Sequence, residues 1–249
     1  MIASIAHFFQ WLNDAYGINF SPFYDPIDGA RLLRGFLVTI ELSVVSILAS
    51  LGLGVLGAWL HDSPARLIRA TVRGYVQFFR NTPPLVQLAF FYFAVSALLP
   101  RVRDSFGAEV PILSNTGWAL ISFSLFAGAF NVEIFRAGLQ AVPGAMLEAA
   151  EALGYSRTGR FIHVTMPLAL RISLPALNNN LVNLLKTTTL ASAIGVPELL
   201  YAANQIWSEA LNVREMMNLI LVLYLLLVGI LVWIMATIER RLRIPGYGL

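Results

Sequence analysis

The chain has 249 residues with a formal net charge of +3, and 57% of its residues are hydrophobic while 12% are charged. An ordinary soluble domain carries roughly 25% charged residues, so this composition favours a protein embedded in lipid. The absence of cysteine excludes disulfides and thiolate chemistry, and the three histidines are too scattered along the chain to suggest a metal cluster.

Residues 1–30 are expected to form an amphipathic head outside the membrane. Apolar side chains recur there at helical spacing with a tryptophan beside them: Ile2, Ile5, Phe8, Phe9, Leu12 and Trp11. This pattern favours a short helix lying on the outer membrane face, where amphipathic aromatic residues are enriched. A disordered tail is the alternative. A secretory signal is not expected, because the first residues carry no basic cluster and no small-residue cleavage site.

Five apolar blocks follow, each long enough to approach the roughly 20 helical residues that cross a hydrocarbon core of about 30 Å. They cover residues 36–60, 82–99, 117–135, 172–194 and 216–238. Unpaired backbone groups are costly in lipid, so spanning segments are helices or closed barrels, and these blocks lack the alternation of barrel strands. The sequence therefore predicts an all-α integral membrane protein with five transmembrane helices.

Arginine placement predicts the orientation, because basic residues collect in short cytoplasmic loops. One set of loops carries eleven arginines, and the opposite set carries five. The larger set is Arg66, Arg69, Arg73, Arg80, Arg136, Arg157, Arg160, Arg171, Arg240, Arg241 and Arg243. We expect that set to be cytoplasmic, which places the amino terminus outside and the carboxyl terminus inside. A transmembrane domain over 31–243 would then contain a cytoplasmic loop at about 140–167 and end in a cytoplasmic tail, 244–249.

Small residues form a stripe along the first block, at positions Thr39, Ser43, Ser46, Ser50, Gly54 and Gly57. Helices in lipid associate where small residues let backbones approach closely, so the stripe favours a helix–helix interface. A polar lining for a substrate path is the alternative.

Lys186 is the single lysine of the chain and lies inside the fourth block. Ionisable groups at membrane depth are costly and are functional candidates by default. Thr187 and Thr188 follow it, and Asn183 precedes it on nearly the same helical face. A solvated path would satisfy these groups. The alternative is a structural lysine paired with a carboxylate of another helix or subunit, for which Glu41 is a candidate.

Glu133 and Arg136 are three residues apart at the end of the third block, which is the spacing of an intrahelical ion pair. Structural pairing is the interpretation favoured for these two residues.

The loop at 140–167 is too polar to span a membrane and too long for a simple turn. Pro143 suits a first helical turn, strong helix formers follow it, and Gly154 suits the left-handed position after a helix. Ser156 is placed to cap a second helix, which Arg157 and Arg160 open and which we expect to stop before Pro167. A DNA-binding helix-turn-helix is the other interpretation, but the flanking spans would pin it to the bilayer, so no nucleic-acid partner is expected.

The residues Glu148, Ala149, Ala150, Gly154, Ile162 and Pro167 resemble the EAA loop of ABC-transporter permeases. In that family this loop is the coupling helix that docks into a cleft of the cytoplasmic ATPase. The resemblance thus implies that the segment 148–154, with Arg157 beside it, couples the chain to an ATPase.

Three further segments resemble the polar-amino-acid branch of these permeases, which has five spans and an external amino terminus. They are FRNTPPLVQ at 79–87, EIFRAGLQAVP at 133–143 and LKTTTLASAIGVPEL at 185–199, so the match extends over about 32–243. The sequence departs from the family pattern at Thr187, where an aspartate commonly stands, and at Asn81, where a glycine is often seen. Both sites adjoin a span, so the departures could alter substrate choice, packing or neither. Asn81 and the RNTP-like segment favour glutamate, aspartate or glutamine as the substrate.

A P-loop needs a glycine-rich approach to its lysine, and Lys186 is preceded by Leu185 inside an apolar block. The chain is therefore not expected to be an enzyme or to bind a cofactor, and ATP and Mg²⁺ would lie on a partner ATPase. The resemblance implies a second, identical or related, permease subunit, an external substrate-binding protein and a multi-pass location in the bacterial inner membrane. An ion-coupled secondary transporter, with Lys186, Glu41 and Glu133 as relay groups, and a membrane scaffold are the competing functions.

Overall fold

A computed structural model describes residues 2–61, 63–103 and 105–242 of the chain. Predictions that concern Arg243, the tail 244–249 and the side chain of Ile2 lie outside the described residues and side chains.

The described residues are mostly helical. The α-helices are α1 (Ile2–Tyr16), α2 (Pro26–His61), α3 (Arg66–Asn81), α4 (Pro84–Ala89), α5 (Asn115–Gln140), α6 (Gly144–Ala152), α7 (Arg157–Arg160), α8 (Met166–Thr187), α9 (Leu199–Ala210) and α10 (Val213–Leu242). Wider π-helical turns occupy Phe90–Val95 and Phe161–Thr165, and 3₁₀ turns occupy Ser21–Phe23, Ser96–Leu98 and Thr188–Ile194.

Two short strands depart from the all-α expectation. Strand β1 (Arg101–Arg103) pairs antiparallel with β2 (Glu109–Pro111), with Val102 opposite Val110. Gly107 has φ +81° between the strands, a conformation that glycine adopts without a Cβ penalty. Neither strand has the four or more residues from which a sequence pattern is recognised, so the hairpin was not predicted.

Three of the described helices are long and apolar enough to cross a membrane: α2, α5 and α10. They contain the first, third and fifth predicted blocks. The second block is a shorter apolar run, Pro84–Leu98, in which α4 gives way to the π-helical turn and then to a 3₁₀ turn. The fourth block is α8 continued by the 3₁₀ segment Thr188–Ile194, where polar side chains lower the hydropathy. The count of five spans stays a prediction.

The chain divides into two compact units. The first unit comprises Met1–Val45, Leu88–Ser122 and Leu185–Gly229. Its core gathers Ala203 and Ile206 of α9 with Met216 and Ile220 of α10, and Leu32 of α2 packs against them. Gly35 of α2 faces α9 so closely that an added Cβ would stand 2.7 Å from the Cβ of Ala202. Helix α2 can therefore approach α9 this closely only because Gly35 has no side chain.

The second unit comprises Ser46–Gln87, Phe123–Leu184 and Ile230–Leu249. One of its apolar clusters joins Ala58 of α2, Phe135 of α5 and Leu177 of α8. An added Cβ at Gly57 would lie 2.3 Å from a methyl group of Val132, so α2 can contact α5 this closely only because Gly57 has no side chain. This is the packing expected of helices in lipid, which lack a hydrophobic drive to associate and depend on close contact.

The stripe of small residues on α2 is a helix-packing face, as the sequence predicts. All six of its residues are buried: Thr39, Ser43, Ser46, Ser50, Gly54 and Gly57. In the first unit, the Thr39 hydroxyl accepts a hydrogen bond from the Leu199 N–H of α9. In the second unit, the Ser50 hydroxyl accepts one from the Asn131 side chain of α5.

The predicted head does form a helix, α1, and Phe9 of this helix stacks on Phe23 at a ring-centroid distance of 4.4 Å. Two other helices were not predicted. Helix α3 buries Val72, Val76 and Phe79, and polar residues stand between them in sequence, so its apolar residues are too interspersed to form a block. Helix α9 is short and lies between the fourth and fifth blocks.

Candidate functional site

Helix α6 ends in a backbone motif that depends on Gly154. Gly154 has φ +81°, and its N–H donates to the Glu151 carbonyl while the Tyr155 N–H donates to the Ala150 carbonyl. These two bonds form a Schellman motif, which satisfies the last carbonyls of the helix. The left-handed position predicted for Gly154 is confirmed. Pro143 directly precedes the first helical residue, one position before the place predicted for it.

Helix α7 begins where the sequence predicts. The hydroxyl of Ser156 accepts a hydrogen bond from the Gly159 N–H at 3.1 Å, so Ser156 is the N-cap. Arg160 of α7 forms an ion pair with Glu151 of α6. The turn between α6 and α7 is therefore closed by backbone bonds at Gly154 and by a charged pair across it.

The helical backbone that begins with α7 continues past Pro167, so the predicted stop before this proline was wrong. The chain continues from α7 through the π-helical turn Phe161–Thr165 into α8, in which Pro167 is the second residue. Proline is tolerated in the first turn of a helix, where its missing N–H is not needed. The wider turn just before it interrupts the regular hydrogen-bond pattern, so Pro167 falls at the start of a new α-helical segment instead of the end of one.

The α6–α7 turn and the π-helical turn that follows α7 both expose apolar side chains. Leu153 is 78% exposed and Ile162 is 54% exposed, and Tyr155 lies between them in sequence with its ring also exposed. Glu148 and Ala149 are exposed as well, whereas Ala150 is buried. We call the exposed residues Glu148, Ala149, Leu153, Tyr155 and Ile162 the turn surface. Apolar side chains of this size at a protein surface mark an interaction site when they are grouped.

Lys186 lies in the last turn of α8 within the first unit, and its side chain is exposed. Glu41 of α2 belongs to the same unit and is also exposed. Within 2–61, 63–103 and 105–242, no ion pair joins these two side chains. The isolated chain thus presents both charges at its surface.

The threonines after Lys186 hold a tight turn. Thr188 is fully buried and its hydroxyl donates to the Leu185 carbonyl at 2.7 Å. Thr187 is half-buried, and the 3₁₀ segment that follows ends at Gly195 with φ +75°. Thr188 therefore stabilises the backbone at the end of α8 and does not face solvent.

Asn183 and Asn81, the other predicted path residues, both belong to the second unit. Asn183 is exposed on α8. Asn81 ends α3, and its side-chain amide donates to the Gln77 side chain at 2.9 Å. Of the six candidate path residues, the structure thus places Lys186, Thr187, Thr188 and Glu41 in one unit and Asn183 and Asn81 in the other.

Glu133 and Arg136 form the predicted ion pair, with a guanidinium nitrogen 2.6 Å from a carboxylate oxygen. Arg80 of α3 adds a second, longer contact of 3.8 Å to the same carboxylate and lies over the Phe130 ring. Glu133 is thus neutralised from two helices, which favours the structural interpretation of this pair.

Glu198 is a residue whose role was not predicted, although it lies in the segment 185–199. Its side chain is 0% exposed and caps α9 by accepting from the N–H groups of Leu200 and Tyr201. The Tyr224 hydroxyl of α10 donates to it at 3.1 Å. Burial raises the pKa of the Glu198 carboxyl above its ordinary value, and these three hydrogen bonds oppose that shift. The residue type gave no clear signal, because the preferred N-cap residues are serine, threonine, aspartate and asparagine and do not include glutamate.

Comparison with known proteins places this geometry in a family. Residues 43–244 match the family described as binding-protein-dependent transport system inner membrane component. The chain belongs to this family. Its relatives include the glutamate/aspartate import permease protein GltJ of Escherichia coli, which is 29% identical over 85% of this chain and 87% of that protein.

Another relative is the putative glutamine transport system permease protein GlnP of Rickettsia bellii, which is 32% identical over 85% of this chain and 92% of that protein. Among solved structures, an amino acid ABC transporter crystallised with histidines aligns with a TM-score of 0.74. The alignment has 26% sequence identity and covers 86% of this chain and 94% of that one. These findings confirm the resemblance to ABC permeases that the loop at 140–167 indicates.

Proposed function

We propose that this chain is the permease subunit of an ATP-driven amino-acid importer and that it docks its ATPase through the turn surface. The observation that carries the proposal is the exposure of Leu153 and Tyr155 on a turn fixed by Gly154, together with that of Ile162 in the π-helical turn after α7. Membership of a binding-protein-dependent transport family supports it. A partner that binds such a patch could pass its own movement to the helices on either side of the turn.

In this proposal the segment 148–154 enters a cleft of a separate ATPase, which holds ATP and Mg²⁺. Glu148, Ala149 and Gly154 present the helix end, and Ala150 packs it against the rest of the unit. The Arg160–Glu151 pair and the Ser156 cap hold α7 against α6, so closure of the ATPases would move the turn as one piece. Arg157 and Pro167 complete the coupling region.

The proposed topology has five spans, with the amino terminus outside and the carboxyl terminus in the cytoplasm. The excess of arginine in the loops that contain α3, α6 and α7 supports it. The family description as an inner membrane component supports a bacterial inner membrane location. Segment 1–30, including α1, would then lie on the external side.

The translocation path is proposed to lie between this chain and a second permease subunit, identical or related. Lys186 and Glu41 are exposed on the isolated chain, as is Asn183. Charged side chains on membrane helices are costly to leave against lipid, which supports protein-lined or solvated surroundings for Lys186. Thr187 and Asn81 flank the path in this proposal, and an external binding protein delivers the substrate.

The substrate class is proposed to be acidic or amide amino acids, meaning glutamate, aspartate or glutamine. The names of two relatives, a glutamate/aspartate permease and a putative glutamine permease, support this choice.

Uptake by the reconstituted transporter tests the substrate. The permease, its ATPase and its binding protein are placed in proteoliposomes with ATP on the ATPase side, and radiolabelled glutamate is supplied with unlabelled competitors. We expect aspartate or glutamine to compete strongly and histidine or arginine weakly. Uptake of histidine or arginine in preference to all three would overturn the substrate assignment while leaving the importer function intact.

A further inference from the structure

The second unit contains a cavity of about 730 Å³ beside the α6–α7 turn. Its walls are contributed by the end of α2, the start of α3, the end of α5, helices α6 and α7, the π-helical turn after α7 and the start of α8. Most of the wall is apolar, with Trp59 of α2, Leu139 of α5 and Met166 of α8 among the lining side chains. A space of this size is within the range of small-molecule sites.

A second hollow of about 530 Å³ adjoins the first along α2. It is lined by Leu51, Gly52, Val55, Leu56 and Trp59, and it shares Val55 and Trp59 with the larger cavity. The eight-residue step from Leu51 to Trp59 corresponds to about 12 Å of helix. An added Cβ at Gly52 would meet no atom within 4 Å. The second hollow thus forms an apolar groove, which we call the α2 groove, leading into the cavity.

The α2 groove lies on a helix that is long and apolar enough to cross the membrane. Trp59, which is 64% exposed, stands near the end of that helix. Tryptophan is enriched at the level of lipid headgroups, where one side of the ring is apolar and the other is wet. With α2 spanning the membrane, the groove would therefore start in the hydrocarbon region, and the cavity would lie at headgroup level.

The charge at the cavity is positive. Arg157 and Arg160 line it, and no aspartate or glutamate is among its described lining residues. Arg160 is neutralised by Glu151, whereas Arg157 is exposed and has no carboxylate partner among the residues that the structure describes. Ser63 and Thr158 add polar groups to the wall. This arrangement is complementary to an anion, and basic pockets between membrane helices bind anionic headgroups.

We propose that an anionic phospholipid binds here, with one acyl chain in the α2 groove and its phosphate at Arg157. The site has two parts, an apolar groove on a membrane helix and a cationic cavity that continues it. Neither a soluble metabolite nor a protein segment accounts for both parts. The lipid would pack between the end of α2 and the α6–α7 turn. This inference does not depend on which substrate the chain transports, and in the proposed orientation the lipid belongs to the cytoplasmic leaflet.

The test uses the complete transporter in nanodiscs that contain a phosphatidylglycerol probe with a photoactivatable diazirine in one acyl chain. We expect photolabelling to map to the α2 groove, at Leu56 and its neighbours. Arg157→Gln should reduce that labelling about fivefold, which is the effect of one basic residue on an anionic lipid. Gly52→Trp should abolish it by filling the groove. Arg73→Gln is the matched control, because Arg73 is an exposed arginine of α3 that does not line the cavity.

Three results would overturn the proposal. The first is unchanged labelling in Arg157→Gln. The second is equal labelling of the groove by a phosphatidylcholine probe, which would show that the anionic charge contributes nothing. The third is labelling of the permease alone that disappears when the ATPase is bound, which would assign the cavity to the ATPase interface.

Discussion

Gly154 and Glu198 each hold a helix end by a different physical means. At Gly154 the backbone adopts φ +81°, which a β-branched residue reaches only with strain, although there is open space around it. At Glu198 a buried carboxylate satisfies two N–H groups that the first turn of α9 leaves unpaired. The first role was readable from the residue type and its position after a helical run. The second required knowing that α9 exists and is buried.

Gly154→Val is expected to impair ATPase docking while the permease still inserts into the membrane. Strain of about 1–2 kcal/mol at this position would unwind the Schellman turn and displace Leu153 and Tyr155. The measurement is co-purification of the ATPase with the tagged permease, together with transport. Gly154→Asn should be close to wild type, because asparagine tolerates the left-handed conformation. Gly144→Val, at the first residue of α6, is the matched control. Unchanged co-purification and transport in Gly154→Val would refute the role.

Glu198→Ala is expected to destabilise the permease by about 0.5–2 kcal/mol through loss of the α9 cap. The thermal unfolding midpoint of the detergent-solubilised protein measures this effect. Glu209→Ala is the control, because Glu209 pairs with Arg31 at the surface, where an ion pair contributes about 0–1 kcal/mol. The assignment fails if Glu209→Ala lowers the midpoint as much as Glu198→Ala does.

At the scale of elements, a ladder of polar side chains joins three helices of the second unit. The Asn180 side-chain amide of α8 donates to the Ala127 carbonyl and to the Asn131 side chain of α5 at 3.1 and 2.8 Å. Asn131 in turn donates to Ser50 of α2 at 3.1 Å. The small-residue stripe that contains Ser50 was readable from residue spacing, but spacing carries no register between helices, so the partners of Ser50 were not predictable.

Asn180→Leu is expected to lower the stability of the solubilised permease, because the Ala127 carbonyl and the Asn131 side-chain oxygen lose the hydrogen bonds that Asn180 donates. Interhelical hydrogen bonds in membrane proteins contribute about 0.6–1.7 kcal/mol each. Thermal unfolding of Asn180→Leu is compared with that of Asn179→Leu, whose side chain is exposed one position earlier. An equal loss in both variants would show that the ladder adds nothing beyond the polarity of α8.

The elements that sequence reasoning missed share a cause. Sequence reasoning located the long apolar blocks and the α6–α7 turn, because the signals for both are local in the sequence. Helix α3 is amphipathic and its buried face depends on Val132 of α5, a contact across the chain. The continuation through Pro167 depends on a π-helical turn, which residue propensities do not indicate. The turn surface and the α2 groove could not be predicted from the sequence, because both depend on side-chain positions that only the structure gives.

At the scale of the whole molecule, the orientation is directly testable because the chain contains no cysteine. Phe106→Cys and Leu67→Cys each introduce a single thiol, in place of side chains that are 94% and 79% exposed, respectively. With the proposed topology, a membrane-impermeant maleimide should label the Phe106→Cys variant in intact spheroplasts and label the Leu67→Cys variant only after the membrane is opened. Labelling of both variants, or of Leu67→Cys alone, in intact spheroplasts would contradict the orientation.

The central claim is that ATP hydrolysis by a partner drives transport through this permease. The most direct measurement is substrate uptake into proteoliposomes that contain the permease, its ATPase and its loaded binding protein, with ATP and ion gradients varied separately. The proposed function predicts uptake that requires ATP and persists when ionophores collapse the ion gradients. Uptake that proceeds without ATP and stops when the gradients collapse would contradict this claim and establish a secondary transporter. The absence of uptake under both conditions would contradict it as well and favour a membrane scaffold.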